Sequence, residues 1–217
     1  MTRASSPDQK ISSLHSGIER YYTQKVLQHG ATALGVDWTC KPTQELRFIQ
    51  LLKLCNFDQP FSLNDVGCGY GALADFLSRR HRASKIDYLG TDLSKAMLEQ
   101  VKPSYGANIR AQFVATASIP RVADYSMASG IFNVKLAQPV GLWNLFIKKT
   151  LTEMNATSRL GFAINFLTPI SRDMQVIPEL YRTAPEVWIR YCTKQFNATA
   201  ELIADYGMRE FTLLVRR

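Results

Sequence analysis

No apolar run in this chain approaches the roughly 20 residues that a membrane-spanning helix needs. The first thirty residues carry charges and hydroxyls where a secretory signal would carry an apolar core, so export by that route is not expected. Cysteine is scarce. Cys40, Cys55, Cys68 and Cys192 form no C-x-x-C pair and have no histidine cluster nearby. Reduced thiols in a cytoplasmic protein are therefore expected in preference to disulfides or zinc ligands, with no metal site. Internal repeats and low-complexity linkers are also missing, which argues against a solenoid and for one compact domain.

What is present is ordinary for a packed protein: 217 residues, 46% hydrophobic and 20% charged. The charge is unbalanced, with 26 Lys and Arg against 18 Asp and Glu, a net of +8. Such an excess favours an anionic partner, whether phosphate, carboxylate, nucleic acid or membrane surface. The one tight basic run, Arg79-Arg80-His81-Arg82, falls at the end of an expected helix, where cations suit the helix dipole.

Residues 1 to about 15 lack periodicity and read as a loose tail. Ile18, Tyr22 and Val26 then recur at helical spacing up to His29-Gly30, a natural helix stop. A second helix is expected from Thr43 to Cys55, with Leu46, Ile49 and Leu52 inward. Together these form an N-terminal tail and helical cap over residues 1–57, preceding the main domain over 58–217. From Phe61 the pattern changes to alternating short strands and helices. Strands are expected at Phe61–Val66, Asp87–Thr91, Gln112–Ala115, Ser126–Ser129 and Leu160–Phe166. Helices are expected at Ala72–Arg80, Ser94–Val101 and Pro139–Met154. The last has Trp143, Phe146, Ile147, Thr150, Leu151 and Met154 on one stripe. A parallel sheet covered on both faces follows from that alternation. Near the end, a helix begins at Pro185, and Thr199–Asp205 and Glu210–Val215 flank the turn Tyr206-Gly207 as a hairpin.

The chemistry concentrates after the first strand, in Asp65-Val66-Gly67-Cys68-Gly69-Tyr70-Gly71. A ligand lying across the carboxyl ends of a parallel sheet needs a loop without side chains in its way, and three glycines in five residues provide one. Asp92 closes the next strand, 21 residues beyond Gly71. A carboxylate there is placed to accept both hydroxyls of a ribose; its structural alternative is to cap the helix that begins near Ser94.

These residues resemble motif I of the class I S-adenosylmethionine-dependent methyltransferases. The acid two residues before the first glycine and the G-x-G-x-G spacing match that family, whereas dinucleotide dehydrogenases space their glycines G-x-G-x-x-G. The resemblance implies an α/β, Rossmann-like seven-stranded sheet of order 3-2-1-4-5-7-6, strand seven antiparallel, with helices on both faces. More narrowly, the chain is similar to bacterial small-molecule methyltransferases with an N-terminal Tyr-Tyr…Lys…His-Gly helix and Ala-Ser-Gly-Ile-Phe-Asn after strand four. It implies S-adenosylmethionine as cofactor and S-adenosylhomocysteine as product. Asp65 and the backbone of Gly67, Cys68 and Gly69 would hold the methionine portion, and Asp92 the ribose. Leu93 would pack on the adenine, Thr116, Ala117 and Ser118 would reach its edge, and Ser129 with Gly130 would border the sulfonium. Many relatives carry Asp where Thr116 stands.

Methyl transfer is an in-line displacement that depends heavily on alignment and exclusion of water, so no single catalytic group is compulsory. His29, able to take a proton near neutral pH, and Asn133 and Lys135, at the rim after strand four, are the candidate catalytic residues. Tyr21 and Lys25 are candidates to close over the cofactor and bind its carboxylate, beside Tyr22 and the pair Asp37-Trp38. Asn165, inside an apolar strand, needs a partner in a backbone or a ligand. The segment Thr168–Arg182, with Arg172 and Arg182, suits a substrate lid. The leading expectation is O-methylation of a small, anionic metabolite or sugar derivative, with a homodimer allowed. RNA or protein methylation and a non-catalytic cofactor-binding subunit are the alternatives. Nucleic acid is disfavoured because no Asn-Pro-Pro-Tyr-like tetrapeptide or aromatic-basic recognition module is present.

Overall fold

The computed structural model describes residues 6–171 and 173–217. Helices α1 (Pro7–His29) and α2 (Lys41–Leu52), with a single 3-10 turn at Ala33–Val36 between them, lead into the alternating region. That region runs β1 (Phe61–Val66), α3 (Ala72–Arg80), β2 (Ile86–Asp92), α4 (Lys95–Leu98), β3 (Ile109–Ala115), β4 (Ala123–Ala128), α5 (Val140–Ala156) and β5 (Ser158–Leu167). The chain finishes with α6 (Pro185–Phe196), β6 (Thr199–Ile203) and β7 (Glu210–Arg216).

All seven strands form one sheet in the order β3-β2-β1-β4-β5-β7-β6. The first five are parallel, and β7 runs antiparallel to both β5 and β6. Both faces are covered, as a parallel sheet requires. On one face α1, α5 and α6 bury Leu14, Trp143, Ile147 and Trp188. On the other, α2 and α3 bury Phe48, Leu51, Leu73 and Phe76. The α5 stripe from Trp143 to Met154 is buried as its 3.6-residue spacing demands. The Trp143 indole also satisfies its one donor on the Phe132 carbonyl at 3.0 Å.

Three expectations need correction. The loose tail is a helix from Pro7: Ser6 and Gln9 form a reciprocal capping box. Ile11 and Leu14, at i and i+3, enter the core, and Ile18, at i+7, packs against it. The hydroxyls between them hid that stripe. In α2 the inward residues are Arg47, Phe48, Leu51 and Leu52, while Ile49 is exposed. Arg47 is buried there with its guanidinium paired to the buried Glu210 carboxylate. The helix expected at Ser94–Val101 is one turn, with Ser94 as its cap. Arg79 answers Asp75 and Glu45, so part of the basic run is spent on local ion pairs. Arg172 and residues 1–5 lie outside the described residues.

Candidate cofactor cleft

At the end of β1 the chain turns sharply. The amides of Gly67 and Cys68 both donate to the Thr91 carbonyl, at 2.8 and 3.0 Å, which ties the glycine loop to the end of β2. Gly67 has φ +72°, and a Cβ there would stand 2.3 Å from Ile131 Cγ2. Only glycine meets both demands. Asp92 completes the loop from the other side: one carboxylate oxygen accepts from the Gly69 amide at 2.9 Å, the other from the Ser94 amide at 2.8 Å. Burial pushes its pKa up against those backbone bonds. Asp65 is also buried and accepts a hydrogen bond from the Tyr88 hydroxyl. Desolvation, with a smaller contribution from the Asp92 charge, raises its pKa to about 7, while the Tyr88 bond opposes the rise.

Above these groups opens a cleft of about 1120 Å³, counted out to its open mouth. Its floor includes Asp65, Gly67, Cys68, Gly69, Asp92 and Leu93. Thr116 and Ala117 form one edge, and Ser129, Gly130 and Ile131 form the wall after β4. Helix α1 roofs it. The helix is anchored at Lys149 of α5 through Asp8 and at Ser94 through the Thr23 hydroxyl, 2.7 Å away. Between those anchors His15, Ile18, Glu19 and Tyr22 face the cleft. These positions recur at one-turn intervals; Ile18 and Tyr22 belong to the expected helix, and only His15 falls at the end of the segment read as a tail. Trp38 and Gln44 add a side wall. The Ser129 hydroxyl is buried with no partner among the described residues.

Other expected residues stand elsewhere. Ser118 bonds to the Thr116 hydroxyl at 3.1 Å and does not line the cleft. Tyr21 and Lys25 occupy the neighbouring face of α1: the ammonium pairs with Asp37 at 2.7 Å and lies over the Tyr21 ring at 5.4 Å. His29 sits in the last turn of α1, beyond the stretch that roofs the cleft. Lys135 directs its ammonium to the carbonyls of Leu136 and Gln138, at 3.2 and 3.4 Å. Asn133 is buried off the cleft wall, its side-chain amide without a partner among the described residues. Asn165 finds its partners within the protein: it accepts from the Gly130 amide at 2.7 Å and donates to Glu210 at 2.9 Å. Arg182 donates to the Thr168 carbonyl at 3.0 Å.

The charge of the cleft differs from that of the chain. Among the described residues its lining includes Glu19, Asp65, Asp92 and Glu153 but no Lys or Arg. Burial, with Lys149 adding to it, lowers the pKa of half-buried His15, which favours a neutral imidazole. Among the described residues no group of three or more His, Cys, Asp or Glu converges as a metal site. No described helix is long and apolar enough to cross a membrane.

Comparison with known proteins agrees with this geometry. Residues 64–156 match the family model described as "Methyltransferase domain". A relative from Mycobacterium tuberculosis (strain ATCC 25618 / H37Rv), named "Putative methyltransferase Rv1506c", is 41% identical over 166 residues, covering 76% of this chain and 99% of its own. Among solved structures, magnesium protoporphyrin IX methyltransferase from Synechocystis PCC 6803 with bound S-adenosylhomocysteine superposes with a TM-score of 0.59 at 15% identity. That match covers 81% of this chain and 82% of the other. Human N-acetylserotonin methyltransferase in complex with S-adenosylmethionine gives 0.57 at 15% identity, covering 81% and 52%. The glycine loop, the strand order and these relatives agree: the chain belongs to the class I S-adenosylmethionine-dependent methyltransferases.

Proposed function

We propose that this enzyme methylates a hydroxyl group of a small metabolite, with a sugar derivative as the leading acceptor class. The observation that carries the reading is the cleft itself. It is roofed by α1 and walled by the apolar side chains of Trp38, Ile131 and Phe146, as small-molecule sites commonly are. The two structural relatives above carry small acceptors in their names, a porphyrin and an N-acetylated amine.

The residues present suit the donor. Gly67 leaves room where a Cβ would collide, Asp92 keeps lone pairs for a ribose diol, and Ser129 presents a buried hydroxyl without a partner among the described residues. In this reading Asp65 and the backbone of Gly67, Cys68 and Gly69 hold the methionine end. Leu93 packs on the adenine, Thr116 and Ala117 meet its edge, and Ser129 and Gly130 flank the sulfonium. When bound, the sulfonium supplies an electrophilic methyl group and leaves as a neutral thioether. The chain aligns the acceptor oxygen with it, excludes water beneath α1, and removes the hydroxyl proton. His15 is the histidine on the cleft wall, and in its neutral form it can accept that proton as the oxygen–methyl bond forms.

The acidic lining favours a neutral acceptor over the anion suggested by the net charge, because nothing in the described wall pairs with a carboxylate or phosphate. Formation of S-adenosylhomocysteine across a panel of neutral glycosides, their uronate and phosphate counterparts, and RNA tests the reading. Turnover of neutral glycosides is expected. Turnover confined to the phosphates or to RNA would sink it.

A further inference from the structure

Five residues from five separate parts of the chain close a ring beneath the wall that follows β4. The Gly130 amide donates to Asn165 of β5 at 2.7 Å, and the Asn165 amide donates to Glu210 of β7 at 2.9 Å. Glu210 receives both Nε, at 2.7 Å, and Nη2 of Arg47 from α2. The guanidinium carbon of Arg47 then lies 3.7 Å from the centroid of the Trp38 ring. Trp38 returns to the start: a Cβ on Gly130 would fall 2.2 Å from its Cζ2. Arg47, Asn165 and Glu210 are buried, and only Gly130 and Trp38 reach the cleft.

A buried ion pair is a poor way to gain stability. Desolvating both partners offsets most of their attraction, and apolar residues of similar volume commonly do as well or better. This pair does have the geometry that makes burial tolerable, a two-pronged contact with the remaining guanidinium nitrogen, Nη1, donating to the Thr43 carbonyl at 2.8 Å. Its two outlets are specific. Through Asn165 it holds the Gly130 amide, and through a cation–aromatic contact it meets the Trp38 ring that stands against the same glycine. Gly130 stands at φ +78°, a conformation that needs surrounding support to be kept unique.

We infer that Arg47 and Glu210 are positioning residues for the methyl donor, setting Gly130 and Trp38 as a rigid wall against which the sulfonium end of the cofactor is seated. The C-terminal hairpin thereby shapes a cleft to which β7 contributes no lining residue.

The test uses S-adenosylhomocysteine as the probe, so it needs no acceptor, and its failure leaves the acceptor reading untouched. In Arg47→Met/Glu210→Gln, the charges go but the Gln oxygen still accepts from Asn165. Melting within a few degrees of wild type is expected, together with a tenfold or greater loss of affinity by calorimetry. Trp143 and Trp188 are buried in the core, so the emission change on binding reports mainly Trp38, and that change is expected to disappear. Arg47→Lys keeps the charge but not the two-pronged contact that fixes the guanidinium between Glu210 and Trp38, so it too is expected to bind weakly; a pair that only balanced charge would leave it at wild-type affinity. Wild-type affinity and an unchanged emission response in the double variant would overturn the inference. If that variant does not fold, Trp38→Ala decides: it removes no buried charge, and wild-type affinity in it is equally fatal.

Discussion

The Asp92 carboxylate and the Gly69 amide are joined by a 2.9 Å hydrogen bond across the gap between the second and first strands. The residue read as a ribose acceptor is therefore also the clasp of the glycine loop, and through Ser94 it starts the next helix. Its binding and structural roles are not alternatives, because a carboxylate has enough lone pairs for two amides and a diol.

Removing that clasp should be costly in both respects. Asp92→Ala is expected to weaken S-adenosylmethionine binding tenfold or more, the order that loss of two charge-assisted hydrogen bonds implies. It should also raise amide exchange in residues 67–69. Isothermal calorimetry and hydrogen exchange read the two effects separately. Calorimetric affinity equal to wild type would end the ribose assignment.

Asp65 predicts a pH dependence. Its folded pKa is raised to about 7 by burial, above the ordinary carboxylate value of the unfolded chain. The folded state thus keeps a proton that the unfolded state sheds near pH 4. Stability from this group is full in acid and declines as pH rises from about 4 through 7. Donor binding runs the opposite way: the ammonium of the methionine portion favours the ionised carboxylate, so affinity should climb as pH passes upward through 7. Asp65→Asn should flatten both trends, raise the melting temperature at pH 8, and weaken binding there.

His15 carries the reverse sign. Its folded pKa lies below that of the unfolded chain, so the unfolded state takes up protons first and stability falls as pH drops below the ordinary histidine value of about 6.5. His15→Gln should lessen the loss of melting temperature between pH 7 and 5. With a hydroxyl acceptor, it should depress turnover at fixed cofactor affinity. His29→Gln, altering a residue outside the cleft lining, should leave turnover unchanged.

Gly130→Ala puts a Cβ where Trp38 already stands, on a backbone at φ +78°. Left-handed strain alone costs about 1–2 kcal/mol, and the collision adds to it. A fall of several degrees in melting temperature is expected, with loss of S-adenosylhomocysteine binding. An alanine variant that binds normally would show that this wall yields.

Much of this was legible before any fold was known, for a common reason: it is local. The β1 and α3 boundaries, the α5 stripe and the 21-residue step from Gly71 to Asp92 each depend on neighbours within a turn or one strand–helix unit. Tertiary structure decided what joins distant segments. It brought His15 and Glu19 to the cleft instead of His29, because Ile11, Leu14 and Val26 are buried on α1 and so fix which of its residues turn toward the cleft. It also turned Arg47 inward, against its polarity, because Glu210 waits there 163 residues away. Burial of a charge depends on finding its counter-charge, and no short window of sequence contains both.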